Sequence, residues 1–314
     1  MRFDDYLLCH ICQGELTTNG RVLTCAKQHH TEIRDGVAIA VGVENYSDSF
    51  GEQWNIFSET QVDSLNGSKL SEERFFSETG WLPEDLRDAV VLDAGCGSGR
   101  FSEIALKYAK VVISVDFSSA VFAFPTILAA APNLIRIHGD IRNLPLDFTK
   151  VTHVFSIGVL QHTPKPYDTL NQIILSLEPE TKIAITAYGK TWYTKIHPKY
   201  FWRPITKRLP RRFVLRGIKI TVPVVFDLLM LLSRPKKLRK VVKFLSIFSI
   251  YPEMAGKLSR KRMKEFMILD TFDALTPAHD FPLSSPLVLS KISEKVKDIE
   301  VISETPLVFR CIKR

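Results

Sequence analysis

Val90-Val91-Leu92-Asp93-Ala94-Gly95-Cys96-Gly97-Ser98-Gly99-Arg100 is an apolar run closed by an acid and followed by three glycines at alternate positions. The amphipathic pattern Phe101 to Ala109 comes next, so the stretch reads as a buried strand, a tight turn and a helix, half of a nucleotide-binding βαβ unit. Glycine is needed in such a turn because a side chain would hold the backbone off the ligand, and because the turn reaches φ values costly to other residues. The spacing also discriminates between ligands. A dinucleotide fingerprint, Gly-x-Gly-x-x-Gly, would put its third glycine at position 100, which is Arg.

What stands instead, Asp-x-Gly-x-Gly-x-Gly, resembles the first motif of the class I S-adenosylmethionine (SAM) dependent methyltransferases, of the type 11 kind. The later motifs of that family follow in order. Val111 to Ser118 reads as a second strand ending in Asp116, where the family carries its ribose-binding carboxylate; one carboxylate has acceptors for both ribose hydroxyls. Ile135 to Pro145 reads as the third strand and the adenine-side turn, with Asp140 facing the adenine amino group and Ile141 packing on the ring. Val151 to Ile157 is a fourth strand, followed by Gly158-Val159-Leu160-Gln161-His162, where donor methyl and acceptor meet. The resemblance spans Val90 to His162 and implies a SAM site made by Asp93, Gly95, Cys96, Gly97, Gly99, Asp116, Phe117, Asp140, Ile141, Ile157 and Gly158.

His162 is the candidate proton acceptor, because a neutral imidazole titrates near neutrality and the residue sits just past the fourth strand. Its other reading is a loop histidine that packs on the pocket or caps the next helix. Gln161 and Tyr188 are further polar candidates. Neither Asn-Pro-Pro-Tyr nor Asp-Pro-Pro-Tyr follows the fourth strand, which weighs against methylation of a base amino group. A catalytically silent, methyltransferase-like binding subunit is the alternative of a different class; carboxylates kept at three strand ends weigh against it.

The chain opens with Cys9-His10-Ile11-Cys12, then Cys25-Ala26-Lys27-Gln28-His29-His30. Two turns that each offer paired ligands suit a closed tetrahedral zinc site of Cys9, Cys12, Cys25 and His29, with His30 as the alternative fourth ligand and His10 a weak one. The other reading is a small hairpin module with reduced thiols. Thr31 to Val41 alternates like a hairpin turning at Asp35-Gly36. Residues 6–42 resemble the zinc ribbon of the small activator protein of tRNA and translation-factor methyltransferases.

At 314 residues about two domains are expected. Five cysteines, an odd number, argue against a disulfide framework and for a reducing compartment, read as the cytoplasm. Met1 to Tyr6 lacks the basic and apolar run of a signal peptide, and no stretch has the length of a membrane span.

Lys182 to Tyr188 reads as the fifth strand, Pro286 to Val296 as the last helix, and Ile299 to Ser303 with Leu307 to Ile312 as the closing strand pair. The fold expected is α/β: a Rossmann-like doubly wound seven-stranded sheet with a small N-terminal zinc ribbon and a helical insertion before the last helix and strand pair. Its parts are a zinc-ribbon module (1–42), a linker and helices covering the cofactor pocket (43–89, with Trp54 a candidate cover), the SAM-binding core (90–190), a basic helical substrate lid (191–281), and the closing helix and strands (282–314).

The net charge of +8 comes from that insertion, which holds 20 of the 42 Lys and Arg but only 6 of the 34 acids. Its apolar runs, Ile218 to Leu232 and Val241 to Ile250, look helical, the first starting at Pro223. A lid over a small, lipid-like or apolar acceptor uses such runs directly. Peripheral contact with anionic membrane is the second reading and an RNA clamp the third. No obligate protein partner is evident.

Overall fold

The computed structural model describes residues 2–41, 57–192 and 194–314; the expected linker Glu44 to Ser49 and Trp54 lie outside them. Five strands of the Val-, Ile- and Leu-rich type form the parallel core: β5 (Val90–Ala94), β6 (Val111–Asp116), β7 (Leu134–Gly139), β8 (His153–Ile157) and β9 (Lys182–Ala187). The antiparallel pair β10 (Val296–Glu304) and β11 (Leu307–Lys313) closes one edge through β9. Together these give the order β7-β6-β5-β8-β9-β11-β10, whose reversal between β5 and β8 opens a crevice at the strand ends.

The strand count differs from the expected seven. Four N-terminal strands, β1 (Leu16–Thr18), β2 (Val22–Cys25), β3 (His30–Arg34) and β4 (Val37–Ala40), continue the same sheet, which therefore has eleven strands. The reason is β4. It leaves the hairpin turn Asp35-Gly36, where both residues have positive φ, and pairs parallel to β7 from Val37↔Arg136 to Ala40↔Gly139, covering an edge that would otherwise be open. Arg136 Nη2 donates to the Asp35 carbonyl at 2.7 Å, and Leu8 N donates to Pro145 O at 2.8 Å. The module thus shares its core with the central sheet: Leu7, Cys9, Leu16, Leu23 and Cys25 belong to one buried cluster with Ile135 and Ile137.

Alternation along β5 sorts the two faces of the sheet. Val90, Leu92 and Ala94 pack with the helices Pro166–Ser176 and Ser285–Ile292; Val91 packs with Leu70–Thr79 and Ser102–Tyr108 on the other side.

The segment after β9 builds a second core. Its ends lie side by side, Leu283 N donating to Tyr188 O and Lys190 N to Leu283 O. Val214, Leu215, Ile218, Val222 and Phe226 of the helix Arg211–Leu232 pack on Met263, Phe266, Met267 and Phe272 of the helix Arg260–Leu275. The first of these helices starts at Arg211 and runs through Pro223 rather than starting there. Pro223 is on the exposed side, where the carbonyl it leaves unpaired has water to bond, and the buried stripe on both sides of it offsets the ~3 kcal/mol such a proline costs. The second run ends its helix, Lys236–Leu245, earlier than expected: Ser246 turns extended at ψ 135°, and the chain from there to Tyr251 enters the crevice.

Candidate active site

The loop between β5 and the helix Ser102–Tyr108 is shaped by close approaches. A Cβ on Gly95 would lie 2.4 Å from both methyl carbons of Val159, and one on Gly99 would lie 2.6 Å from the Phe124 ring, so only glycine lets the loop sit against the turn after β8 and against Phe124. Gly97 N donates to Asp116 Oδ2 at 2.8 Å. Burial raises the Asp116 carboxyl from its ordinary value, against the hydrogen bonds from Ser118 and Gly97. Burial likewise raises the Cys96 thiol.

These residues form one end of a cavity of about 650 Å³. Gly95, Cys96, Gly97, Asp116, Phe117, Ile141, Ile157, Gly158 and His162 all line it. Asp93, Gly99 and Asp140 do not. Asp93 lies on the helix-facing side of β5, where it accepts from Ser102 Oγ at 2.6 Å and burial pushes it up to about 7; it supports the loop from beneath. Gly99 is spent on Phe124. Asp140 turns its carboxylate onto Arg142, with Nε 2.9 and 3.0 Å from the two oxygens.

His162, 8% exposed, has its Nδ1 3.0 Å from the His279 carbonyl oxygen and its ring edge-on to Tyr188, 5.5 Å between centroids. A carbonyl only accepts, so Nδ1 is the protonated nitrogen and the Nε2 lone pair is the basic position. Gln161 is fully buried away from the cavity wall, its backbone oxygen accepting from Phe281 N at 2.8 Å.

The rest of the acceptor end comes from residues without a motif. Arg100 Nη1 donates to Gln61 Oε1 at 2.8 Å, Gln61 Nε2 donates to Asp270 Oδ1 at 3.1 Å, and Tyr251 OH donates to Asp270 Oδ2. The arginine that breaks the dinucleotide fingerprint therefore begins a polar chain across to the insertion. Burial lowers Arg100 to about 10 and raises Asp270 to about 6. Tyr188 OH donates to Asp273 Oδ2 at 3.3 Å, and burial raises both Tyr188 and Tyr251. Lys199 Nζ sits 4.5 Å from the Tyr188 ring centre and 3.0 Å from Asp280. The sequence did hold a signal for part of this wall, two acids three apart in the mostly apolar Phe266 to Leu275; Tyr251 and Gln61 had none.

Of the two apolar runs of the insertion, the second reaches the cavity, through Ile247, Phe248 and Ile250, and the first does not. None of Ile218 to Leu232 lines the cavity, because their inward face is used up on the helix Arg260–Leu275. The wall on this side is mixed, with Tyr188, Tyr251, Asp270 and Asp273 beside Ile247, Phe248 and Ile250.

In the N-terminal module, ligand atoms of Cys9, Cys12, Cys25 and His29 all lie within 4.8 Å of one another. Cys12 Sγ is 3.7 Å from Cys25 Sγ, and Cys9 Sγ is 3.6 Å from His29 Nδ1, close to the ~3.8 Å between sulfurs on a tetrahedron with ~2.3 Å metal–sulfur bonds. The other two imidazoles are engaged elsewhere: His30 Nδ1 with Thr24 Oγ1 at 3.0 Å and His10 Nδ1 with Thr31 Oγ1 at 2.9 Å.

Residues 92–185 match the family model described as a methyltransferase domain. The chain carries a SAM-dependent methyltransferase domain. A curated relative, the tRNA U34 carboxymethyltransferase of Hahella chejuensis, is 32% identical over 104 residues, 32% of each chain; the chain spans about a third of that relative's length. Among solved structures, magnesium protoporphyrin IX methyltransferase from Synechocystis with bound S-adenosylhomocysteine is 14% identical over 86% of this chain and 97% of its own, at TM-score 0.45. Phosphoethanolamine N-methyltransferase 1 of Haemonchus contortus, in complex with phosphoethanolamine and S-adenosylhomocysteine, is 21% identical over 46% of this chain and 33% of its own, at TM-score 0.35. The methyltransferase domain stops near the end of β9, so what roofs its crevice is outside the part matched.

Proposed function

We propose that the protein transfers a methyl group from SAM to a small-molecule acceptor held in the chamber between His162, Tyr188 and Asp270. The observation that carries this is that the glycine loop, Asp116 and His162 line one cavity. SAM supplies a methyl carbon made electrophilic by its sulfonium. Asp116 would hold the ribose, Gly95 to Gly97 would let the donor approach the backbone, and Ile141 would pack beside the adenine. His162 would take the proton released as the acceptor's lone pair forms the new bond to the methyl carbon and the methyl–sulfur bond breaks, its electron pair leaving on the sulfur of S-adenosylhomocysteine. Positioning supplies the larger part, on the order of 7 kcal/mol or more in favourable cases. The enclosure sets Tyr251, Asp270 and Asp273 beside Ile247, Phe248 and Ile250, which suits a small acceptor with a polar and an apolar part.

Cys9, Cys12, Cys25 and His29 fit a closed structural zinc site, with no position left open for chemistry. Five free cysteines fit a reducing compartment such as the cytoplasm. The experiment is a screen of small metabolites, polar and apolar, with methyl-labelled SAM, run beside His162→Ala. Label transferred by the parent and not by the variant supports the reading; SAM binding with no transfer to any small molecule, and transfer to bulk RNA instead, overturns it.

A further inference from the structure

The helix Arg211–Leu232 is apolar on two opposite faces. One packs on the helix Arg260–Leu275, as a buried amphipathic face should. The other carries Phe213, Ile220, Val224, Leu228 and Leu231, which are 54%, 61%, 77%, 57% and 54% exposed. Their spacing of seven, four, four and three places them in one stripe, about 27 Å long at 1.5 Å per residue. An all-round apolar helix is ordinarily buried, and no described residue covers this stripe. Asp227, the one acid of the helix, is paired with Arg260.

The next helix, Lys236–Leu245, repeats the pattern in amphipathic form. Leu238, Val241 and Leu245 are exposed at spacings of three and four, while Lys236, Lys237 and Lys240 occupy other faces. A third outward apolar group, Phe201, Trp202 and Ile205, sits on the helix Pro198–Thr206.

We propose that this insertion lies on an anionic phospholipid surface, with the outer stripe of Arg211–Leu232 and the apolar face of Lys236–Leu245 entering the headgroup boundary. Charge complementarity selects the occupant: the segment concentrates about half of the chain's Lys and Arg and less than a fifth of its acids, and a bilayer interface takes cations and apolar side chains side by side. A nucleic-acid backbone would satisfy the cations and leave Val224 and Leu228 in water. No described helix is long and apolar enough to cross a membrane, so the contact is one of lying on the surface. The same segment, through Ser246 to Tyr251 and the Asp270 helix, roofs the cavity, which sets the acceptor chamber next to the bilayer.

The test is flotation of the full chain with phosphatidylcholine vesicles containing 30% phosphatidylglycerol, against vesicles of phosphatidylcholine alone. Two variants accompany it, Val224→Glu with Leu228→Glu, and Lys236, Lys237 and Lys240→Gln; all five positions are exposed and away from the cavity, so SAM affinity serves as the folding control. Binding to the anionic vesicles only is expected, lost in the glutamate variant and weakened on the order of a hundredfold in the glutamine variant, as about 1 kcal/mol per lysine requires. Absence of vesicle binding at low salt overturns the proposal. So does a stripe whose glutamate variant abolishes self-association of the chain, or salt-sensitive RNA binding, while vesicle binding is unchanged.

Discussion

The amide of Gly97 and the carboxylate of Asp116 are joined by a 2.8 Å hydrogen bond, so the loop after β5 and the end of β6 form one cradle. The other carboxylate oxygen accepts the amide and the hydroxyl of Ser118, at 2.8 and 2.6 Å. Asp116 is therefore both the ribose ligand of the proposed site and the brace of the loop that faces the donor. Asp116→Ala removes the two together and is expected to weaken SAM binding by about 2–3 kcal/mol, the worth of a charge-assisted contact. Calorimetry on the purified variant measures it, and an affinity equal to the parent's would remove Asp116 from the site.

The metal prediction is sharpened by the way the N-terminal strands extend the central sheet. A chain prepared without chelators should carry about one zinc, and Cys12→Ser should lose it. Because Cys9 and Cys25 share their buried cluster with Ile135 and Ile137, the loss should also lower the melting temperature of the whole chain, and hydrogen exchange should quicken along β7 as well as β4. Elemental analysis without zinc in the parent contradicts the site; exchange confined to residues before β4 contradicts the coupling.

The parts of this architecture that repeat a local rule were legible in the sequence. Val90 to Ala94 and Val111 to Asp116 declare themselves by apolar runs ending in an acid, and Asp35-Gly36 by turn chemistry. What escaped is decided between distant segments. That β4 docks on β7 depends on an open edge a hundred residues away, and that Pro223 lies within a helix depends on the packing of Val222 and Phe226. In sequence the run Ile218 to Leu232 suits a lid as well as a surface, because an apolar residue on a helix has two possible destinations, and periodicity does not say which face meets the core. The polar pair in the roof has the same origin: Tyr251 and Asp270 meet through tertiary structure alone.

His162 yields a kinetic prediction. With Nδ1 committed to the His279 carbonyl, His162→Ala removes a base without touching Asp116 or the glycine loop. Turnover of the acceptor should fall about a hundredfold or more, with SAM affinity within about twofold of the parent by calorimetry, as expected for a group that contributes nothing to donor binding. His162→Gln keeps the polar contact without the base and should be equally slow. Full turnover in the glutamine variant would make the residue a spacer that orders the turn after β8.

Asp93 carries a pH signature that separates its supporting role from a ligand role. Burial lifts its carboxyl to about 7 in the folded chain, a further push coming from Asp116, while Ser102 holds it down. The unfolded value is near 3.9, so between about pH 4 and pH 7 the folded state binds more protons at this position than the unfolded state. The stability that this group contributes is full below the unfolded value and is lost as pH rises through the folded one. Raising the pH from 5 to 8 should therefore cost the parent more stability than Asp93→Asn, which has no proton to lose. His153, which burial lowers to about 4, works in the opposite direction over part of the same range, but it is common to both proteins and drops out of the difference. Urea melts of the two at pH 5 and pH 8 measure it. A parent–variant difference that stays constant across the two pH values would mean that Asp93 is ionised throughout, with a ligand-facing environment instead of its place beneath the loop.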